Sequence, residues 1–177
     1  MTRLSERDWL DHGLKTLAKS GFAALKAASL AEALGVSRGS FYWHFQDIHA
    51  FKERLLEHWQ SQTTDETIRD LDAMEQSHER LSDLMVRAYS AKPQLDRAVR
   101  VWADYDKHVR ARIKSVDTLR INYICKLLIT SGLKEETARR RARFLYAASL
   151  GDPSIASGAA RSFNSADLED LAALLTT

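Results

Sequence analysis

The stretch from Ser29 to Phe45, SLAEALGVSRGSFYWHF, is the most informative part of the sequence because it is typical of two short helices joined by a tight turn. Gly35 lies where the first helix must end, and glycine adopts a positive φ there without a Cβ clash. Ala31 is small enough to let the two helices cross closely. Apolar side chains recur at spacings that point them inward, at Leu30, Leu34, Val36 and Phe41. The stretch therefore predicts a helix-turn-helix, a unit that can place its second helix in the major groove of DNA.

Capping residues mark the predicted helix starts. Ser29 with Glu32 forms a capping-box pattern for the first helix of the motif, and Ser37 is placed to cap the second. Similar signals precede and follow the motif, at Ser5 with Asp8 and at Asp47. We therefore expect a helix on each side of the motif.

The second helix of the motif carries more polar and aromatic side chains than two turns can bury. Arg38 can pair with guanine O6 and N7 or with phosphate, and the hydroxyls of Ser37 and Ser40 can reach phosphate or a base edge. Gly39 allows the backbone to approach the duplex closely. The alternative is a surface helix pair in an ordinary bundle, where Gly39 marks fraying and Trp43 belongs to the core.

Residues 5–56 resemble the N-terminal DNA-binding domain of the tetracycline-repressor (TetR) family of bacterial transcription regulators. The motifs that carry the resemblance are Gly21-Phe22, Leu30-Ala31, Gly35-Val36-Ser37, Phe41 to Phe45 and an apolar Phe51. The resemblance implies that residues 37–43 form the recognition helix and that Tyr42 and His44 contact the DNA backbone. The family usually has a lysine where Ile48 stands, so that phosphate contact is either missing or made by His49 or Lys52. The predicted DNA-binding residues are Ser29, Ser37, Arg38, Gly39, Ser40, Tyr42, Trp43, His44, His49 and Lys52.

Composition limits the class of protein. Of 177 residues, 45% are hydrophobic and 28% charged, whereas only 7 are glycine and 2 proline, which favours an all-α fold over sheets with many turns. Cys125 is the single cysteine, so an intrachain disulfide and a cysteine metal cluster are excluded. No apolar run is long enough to span a bilayer, and the N-terminus lacks the apolar core of a signal peptide. We expect a cytoplasmic protein with no membrane partner, no metal and no cofactor.

The net charge of +2 is unlike the strongly basic profile of many nucleic-acid binders. Basic and acidic side chains also nearly balance within residues 1–60. DNA binding would then depend on where a few groups are placed, and a symmetric dimer doubles each contact. We expect a shallower salt dependence than that of a highly basic repressor.

The second part of the chain is predicted to form further amphipathic helices after a polar boundary at Ser61 to Glu79. The predicted division is a DNA-binding domain at 1–50 and an effector-binding and dimerisation domain at 51–177, with about nine helices in total. Helical spacing places later helices around 81–88, from Pro93 through Trp102, at about 107–131, 135–148 and 166–175.

The TetR resemblance also implies an effector pocket and a dimer interface in this second part. The residues that we predict to line the pocket are Met85, Tyr89, Trp102, Tyr105 and Tyr123. Each of them alone is more typical of core filling. The family dimerises through its last two long helices, here 135–148 and 166–175, and Pro153 should break or kink the segment between them. Four arginines in the run 138–144 can lie along such an interface, with Glu135, Glu136 or a partner's acid balancing their charge.

An enzyme is poorly supported, because the sequence has no HExxH, G-x-S-x-G, phosphate-binding loop or dinucleotide motif. Asp104, Asp106 and His108 are close in sequence, but neighbours two apart on a helix point in different directions. We predict no catalytic residues. The sequence predicts a homodimeric, ligand-responsive transcription regulator that binds double-stranded operator DNA, most simply a repressor that a small-molecule effector releases. The alternatives are a helical adaptor without DNA binding and an effector-dependent activator or co-repressor.

Overall fold

The structure is a computed structural model and describes residues 4–75, 79–90, 94–151 and 165–176, without the side chains of 89, 90, 165, 167 and 168. The helices are α1 Glu6–Ser20, α2 Ala27–Ala33, α3 Arg38–His44, α4 Ile48–Gln60, α5 Glu66–Asp72, α6 Arg80–Ser90, α7 Gln94–Ala103, α8 Lys107–Thr130, α9 Glu135–Ser149 and α10 Ser165–Thr176. A 3₁₀ turn, Phe22–Ala24, follows α1, and a π-helical turn, Ser61–Asp65, follows α4. No strand occurs in the described ranges, so the predicted all-α fold with an N-terminal helix-turn-helix is confirmed.

The chain divides into two compact units. The first comprises Met1–Thr63 and Lys92–Lys114, and the second comprises Thr64–Ala91 and Ser115–Thr177. The first unit therefore contains α7 and the start of α8 in addition to α1–α4. The functional division that we predict at residue 50 stays a prediction. Pro93, Pro153 and most of the predicted break between α9 and α10 lie outside the described residues.

The cap residues of two helices are confirmed. The Ser5 hydroxyl accepts from Asp8 N at 3.2 Å while the Ser5 N–H donates to Asp8 Oδ2 at 2.7 Å, which is a complete capping box. Asp47 Oδ1 accepts from Ala50 N at 2.8 Å at the start of α4. Ser37 is the N-cap residue of α3, although its side chain makes no capping hydrogen bond.

The predicted capping box of Ser29 with Glu32 is wrong. Helix α2 begins earlier, at Ala27, and its first backbone bond runs from Leu30 N to Lys26 O at 2.9 Å. Ser29 is therefore already inside the helix, where the extended backbone of an N-cap residue is impossible.

The core of the first unit is a cluster of large aromatic side chains. The Phe41 ring lies 5.4 Å from Trp9, 5.2 Å from Phe45 and 5.4 Å from Phe51 between ring centroids. The Phe45 and Phe51 rings are 5.0 Å apart and nearly perpendicular. All four side chains are buried. Edge-to-face rings of this kind pack densely and fix the angles between α1, α3 and α4.

Gly13 lets α1 approach α4 closely. A Cβ at this position would lie 2.6 Å from Phe51 Cζ and 2.9 Å from Leu55 Cδ1. Both distances are shorter than a van der Waals contact between carbon atoms. The position therefore requires a residue without a side chain, although it lies in the middle of a helix.

The second unit has its own apolar core. It contains buried side chains from α5, α6, α8, α9 and α10, including Leu71, Met85, Leu128, Ala142 and Ala172. Part of this core comes from the stretch 61–79, which we predicted as a polar boundary between subdomains, and one division between the two units falls inside it, between Thr63 and Thr64. The prediction gave this stretch no helix, whereas α5 spans Glu66–Asp72 and buries Leu71 completely.

Candidate nucleic-acid interface

The turn before α3 has the geometry that the sequence predicts. Gly35 has φ of 66°, and the N–H of Val36 donates to the Ala31 carbonyl at 3.0 Å. Ala31 on α2 and Phe41 on α3 are both buried. Helix α3 is thereby fixed on the core of the first unit.

The outer face of α3 carries large exposed side chains. Trp43 is 70% exposed and Tyr42 is 50% exposed, and Arg38 is exposed on the first turn. The Tyr42 ring also contacts the core, because its centroid lies 5.4 Å from that of Phe41 and the two rings are nearly perpendicular. Within the described ranges, no side chain pairs with the Arg38 guanidinium. The exposure of Trp43 argues against the core position that the alternative prediction gave it.

Small residues occupy the rest of the α3 surface. Ser37 and Gly39 are exposed and Ser40 is half-buried. A Cβ at Gly39 would touch nothing closer than Ser37 Oγ at 3.6 Å, so the glycine is not required by packing within the unit. Close approach of another molecule to the backbone remains a prediction for this position.

His44 is oriented by a bond that sequence patterns could not reveal. Its Nε2 lies 2.9 Å from the carbonyl oxygen of Leu4, forty residues earlier in the chain. The partner is a backbone atom, so the identity of residue 4 gives no signal of it. The ring is half-buried, and only part of it is available to another molecule.

The other predicted DNA-binding residues lie outside α3. Ser29 is exposed on α2 and His49 is exposed in the first turn of α4. Lys52 points elsewhere, with its Nζ 5.7 Å from the ring centroid of Trp102 on α7. This contact uses the ammonium group for a cation–π interaction within the first unit. The structure therefore gives Lys52 a role in packing, and its contact with phosphate stays an untested prediction.

A polar cluster braces α1 against the end of α4. His58 Nε2 donates to Asp11 Oδ1 at 2.6 Å, and Gln62 Nε2 reaches the same oxygen at 3.1 Å. The hydrogen bond from His58 is the main cause that lowers the pKa of Asp11 below its ordinary value. Arg54 adds a second link, with Nε 2.9 Å from Glu6 Oε1 on α1. These contacts fix the angle between α4 and α1.

The predicted effector residues fall into two groups. Trp102 and Tyr105 both contact Phe22, with ring centroids at 6.4 Å and 5.3 Å, in the first unit. Met85 and Tyr123 are buried in the core of the second unit. The side chain of Tyr89 lies outside the described residues. That these residues line one pocket stays a prediction.

Tyr123 is already engaged by polar partners. Its hydroxyl donates to Asp72 Oδ1 at 3.0 Å, and Lys126 Nζ lies 3.2 Å from the same oxygen. Burial raises the pKa of Tyr123 to about 12, and the bond to Asp72 adds to this shift. The phenol is therefore a neutral donor that ties α8 to the end of α5.

The comparisons with known proteins agree with this geometry. The sequence model described as "Bacterial regulatory proteins, tetR family" matches residues 10–57, which include α2, α3 and nearly all of α4. The chain therefore carries a DNA-binding domain of the TetR type, with its helix-turn-helix at residues 27–44. No curated protein sequence matches it significantly.

Solved structures share the fold over nearly the whole length of this chain. A crystal structure titled as a putative regulator of the TetR/AcrR family has a TM-score of 0.74 at 21% identity and covers 96% of this chain and 97% of its own. A putative TetR-family regulator from Rhodococcus sp. has a TM-score of 0.67 at 16% identity, with coverages of 97% and 96%. A structure titled superantigen PfiT has a TM-score of 0.72 at 17% identity, with coverages of 98% and 97%. At these identities the likeness concerns the fold alone.

The described residues contain no group of three or more histidine, cysteine or acidic side chains arranged to hold a metal ion. None of the described helices is both long and apolar enough to cross a membrane.

Proposed function

We propose that this chain is a regulator of the TetR family, a homodimeric repressor that binds operator DNA through α3 and is released by a small-molecule effector. The observation that carries the DNA-binding part is the exposed face of α3. Arg38, Tyr42 and Trp43 project from a short helix whose opposite side, at Phe41, is completely buried. A rigid support of this kind favours recognition, because the helix backbone is already ordered before its side chains meet the groove.

Arg38 and Tyr42 are proposed to make different kinds of contact with the DNA. Arg38 can donate two hydrogen bonds to one guanine and so discriminate between bases, whereas the Tyr42 hydroxyl can hold a phosphate in any sequence. Ser37, Ser40 and the backbone at Gly39 complete the contact surface. His49 lies one helix further along and is the proposed substitute for the lysine that the family usually has at the position of Ile48.

The proposed dimer uses α9 and α10. Phe144 on α9 is 69% exposed and Leu174 on α10 is 66% exposed, so each helix carries a large apolar side chain on its outer surface. Two of the four neighbouring arginines, Arg139 and Arg140, pair with Glu135 and Glu136 on α9. These ion pairs reduce the charge repulsion between two copies of the same surface. Two-fold symmetry would place two α3 helices on half-sites about 34 Å apart.

The effector is proposed to act by preferring the conformation that does not bind DNA. A tenfold preference corresponds to about 1.4 kcal/mol per site. A ligand that prefers the DNA-binding conformation would raise the affinity for DNA, and the protein would then act as an effector-dependent activator or co-repressor. The experiment must therefore measure whether the ligand raises or lowers the affinity for DNA. The proposed place of action is the cytoplasm, with no catalytic step.

The first experiment is selection of genomic fragments by the purified full-length chain, followed by fluorescence-anisotropy titration of the selected DNA. Arg38→Ala should weaken binding by roughly 1–3 kcal/mol and relax the preference at one base pair. Tyr42→Phe should weaken selected and unrelated DNA about equally, because a phosphate contact carries no sequence information. Arg97→Ala, an exposed arginine on α7, and Tyr105→Phe are the matched controls and should bind like the wild type.

The competing functions give different results in the same assays. A helical adaptor would select no fragment, and unchanged affinity in both α3 variants would refute the placement of the recognition helix. Light scattering of the wild type and of Phe144→Glu tests the dimer, which the added charge should dissociate. A thermal-shift screen for ligands, repeated with bound DNA, then separates release from co-repression.

A further inference from the structure

The peptide group between Leu4 and Ser5 is held at both of its polar ends. Its N–H donates to Asp8 Oδ2 at 2.7 Å, within the capping box of α1, and its carbonyl oxygen accepts from His44 Nε2 at 2.9 Å. Leu4 precedes the N-cap residue, so the hydrogen bonds of α1 begin with the Ser5 carbonyl and leave the Leu4 carbonyl available. One peptide group therefore joins the cap of α1 to the last residue of α3.

The chemistry of this bond restricts what His44 can do on DNA. A carbonyl oxygen only accepts, so the hydrogen must be on Nε2, and in a neutral ring Nδ1 is then an acceptor. Phosphate oxygens are acceptors as well. A neutral His44 that keeps its bond to Leu4 therefore has no donor for phosphate, and a direct contact through Nδ1 would require the doubly protonated ring.

We propose that His44 is a positioning residue, which fixes the C-terminal end of α3 on the Leu4–Ser5 peptide and thereby aims Tyr42 and Trp43 at the duplex. This inference rests on the proposed function. The proposal also gives Asp8 on α1 an indirect role in DNA binding. Its carboxylate accepts the N–H of the same peptide group whose carbonyl accepts from His44. The role differs from the backbone contact that the family resemblance implies for His44.

Two substitutions at His44 separate the roles. Glutamine places an amide donor near the position of Nε2, whereas asparagine places it near Nδ1, and neither side chain carries a charge. If His44 acts by positioning, His44→Gln should bind the selected DNA nearly as the wild type does, and His44→Asn should bind about tenfold more weakly. Rescue by asparagine and not by glutamine would overturn the proposal.

A double-mutant cycle tests the link through Asp8. Asp8→Ala releases the peptide, so its loss of DNA affinity should be largely absent when His44→Asn is already present. Asp104→Ala, at an exposed carboxylate between α7 and α8, is the control and should leave affinity and coupling unchanged. Fully additive losses for Asp8 and His44 would contradict the proposed connection.

A measurement without DNA tests the hydrogen bond itself. Long-range ¹H–¹⁵N spectra of the full chain report which ring nitrogen is protonated, and the His44 signals are identified by their loss in His44→Gln. The expected form of the neutral ring has the proton on Nε2, and a proton on Nδ1 would overturn the proposal. If the wild type selects no DNA, the proposed function fails, and the positioning role of His44 on DNA fails with it, whatever the ring spectra show. If DNA is bound and the ring carries its proton on Nδ1, only the present proposal fails.

Discussion

Gly13 offers the most direct test of how the DNA-binding unit is packed. In Gly13→Ala the added methyl carbon would lie 2.6 Å from Phe51 Cζ, about 1 Å inside a normal carbon–carbon contact. Phe51 is completely buried between the rings of Phe41 and Phe45, so it has no free space into which to move. The methyl group must therefore push α1 away from α4.

The magnitude follows from two opposing terms. Overpacking of a core costs about 1–3 kcal/mol, whereas alanine gains about 1 kcal/mol over glycine inside a helix. With two contacts below 3 Å, we expect a net loss of about 1–2 kcal/mol in the free energy of unfolding. For a chain of this size the melting temperature should fall by about 2–8 °C.

Urea and thermal unfolding followed by far-UV circular dichroism measure the loss. Gly39→Ala is the matched control, because a Cβ there meets only Ser37 Oγ at 3.6 Å and should yield the gain in helix propensity without a clash. In addition, Phe51→Leu should cost less stability in the Gly13→Ala background than in the wild type. If Gly13→Ala is as stable as the wild type or more so, the close approach of α1 and α4 is refuted.

Three further predictions concern polar and aromatic contacts in both units. The pKa of Asp11 is lowered in the folded protein, so its bond with His58 contributes stability at pH values above the pKa of Asp11 in the unfolded chain. The difference in stability between the wild type and Asp11→Asn should therefore vanish as the pH falls through the lowered pKa. A difference that stays constant in acid unfolding titrations would count against the bond. Trp102→Ala should lower the free energy of unfolding by about 3–5 kcal/mol, because a buried indole is removed from α7. Urea unfolding measures this loss, and a value below about 1 kcal/mol would show that the packing of α7 does not depend on Trp102. Tyr123→Phe removes the bond to Asp72 and should cost about 1 kcal/mol of unfolding free energy at neutral pH. Because the pKa of Tyr123 in the folded protein is raised to about 12, the wild type should lose this advantage over the variant as the pH rises towards that value. An advantage that persists there would contradict the hydrogen bond between Tyr123 and Asp72.

Local patterns predicted the helix-turn-helix well. Gly35 turns with a positive φ, Asp47 caps α4, and the Ser5 box caps α1, because each of these features depends on neighbours within a few residues. The same reasoning misplaced the start of α2, since Ser29 has the right residue type for a cap but Lys26 supplies the first helical carbonyl. Composition and spacing alone could not choose between these two starts.

Contacts between distant parts of the chain were not predictable in the same way. The role of Gly13 depends on the ring of Phe51, and that of Lys52 depends on Trp102, fifty residues later. The resemblance to the TetR family led to the prediction of Trp102 in an effector pocket and of Lys52 at a phosphate. The structure brings them together because α7 folds with the first unit.

Helical periodicity after Gly35 was enough to predict that Phe41 is buried and that polar side chains of α3 face outward, but it left the position of Trp43 open. How α3 is held depends on tertiary contacts. The bond from His44 to the Leu4 carbonyl joins two segments far apart in sequence through a backbone atom, and every residue type has the same carbonyl group. Such a contact therefore leaves no pattern of side chains in the sequence. In the folded chain His44 Nε2 and the Leu4 carbonyl oxygen lie 2.9 Å apart.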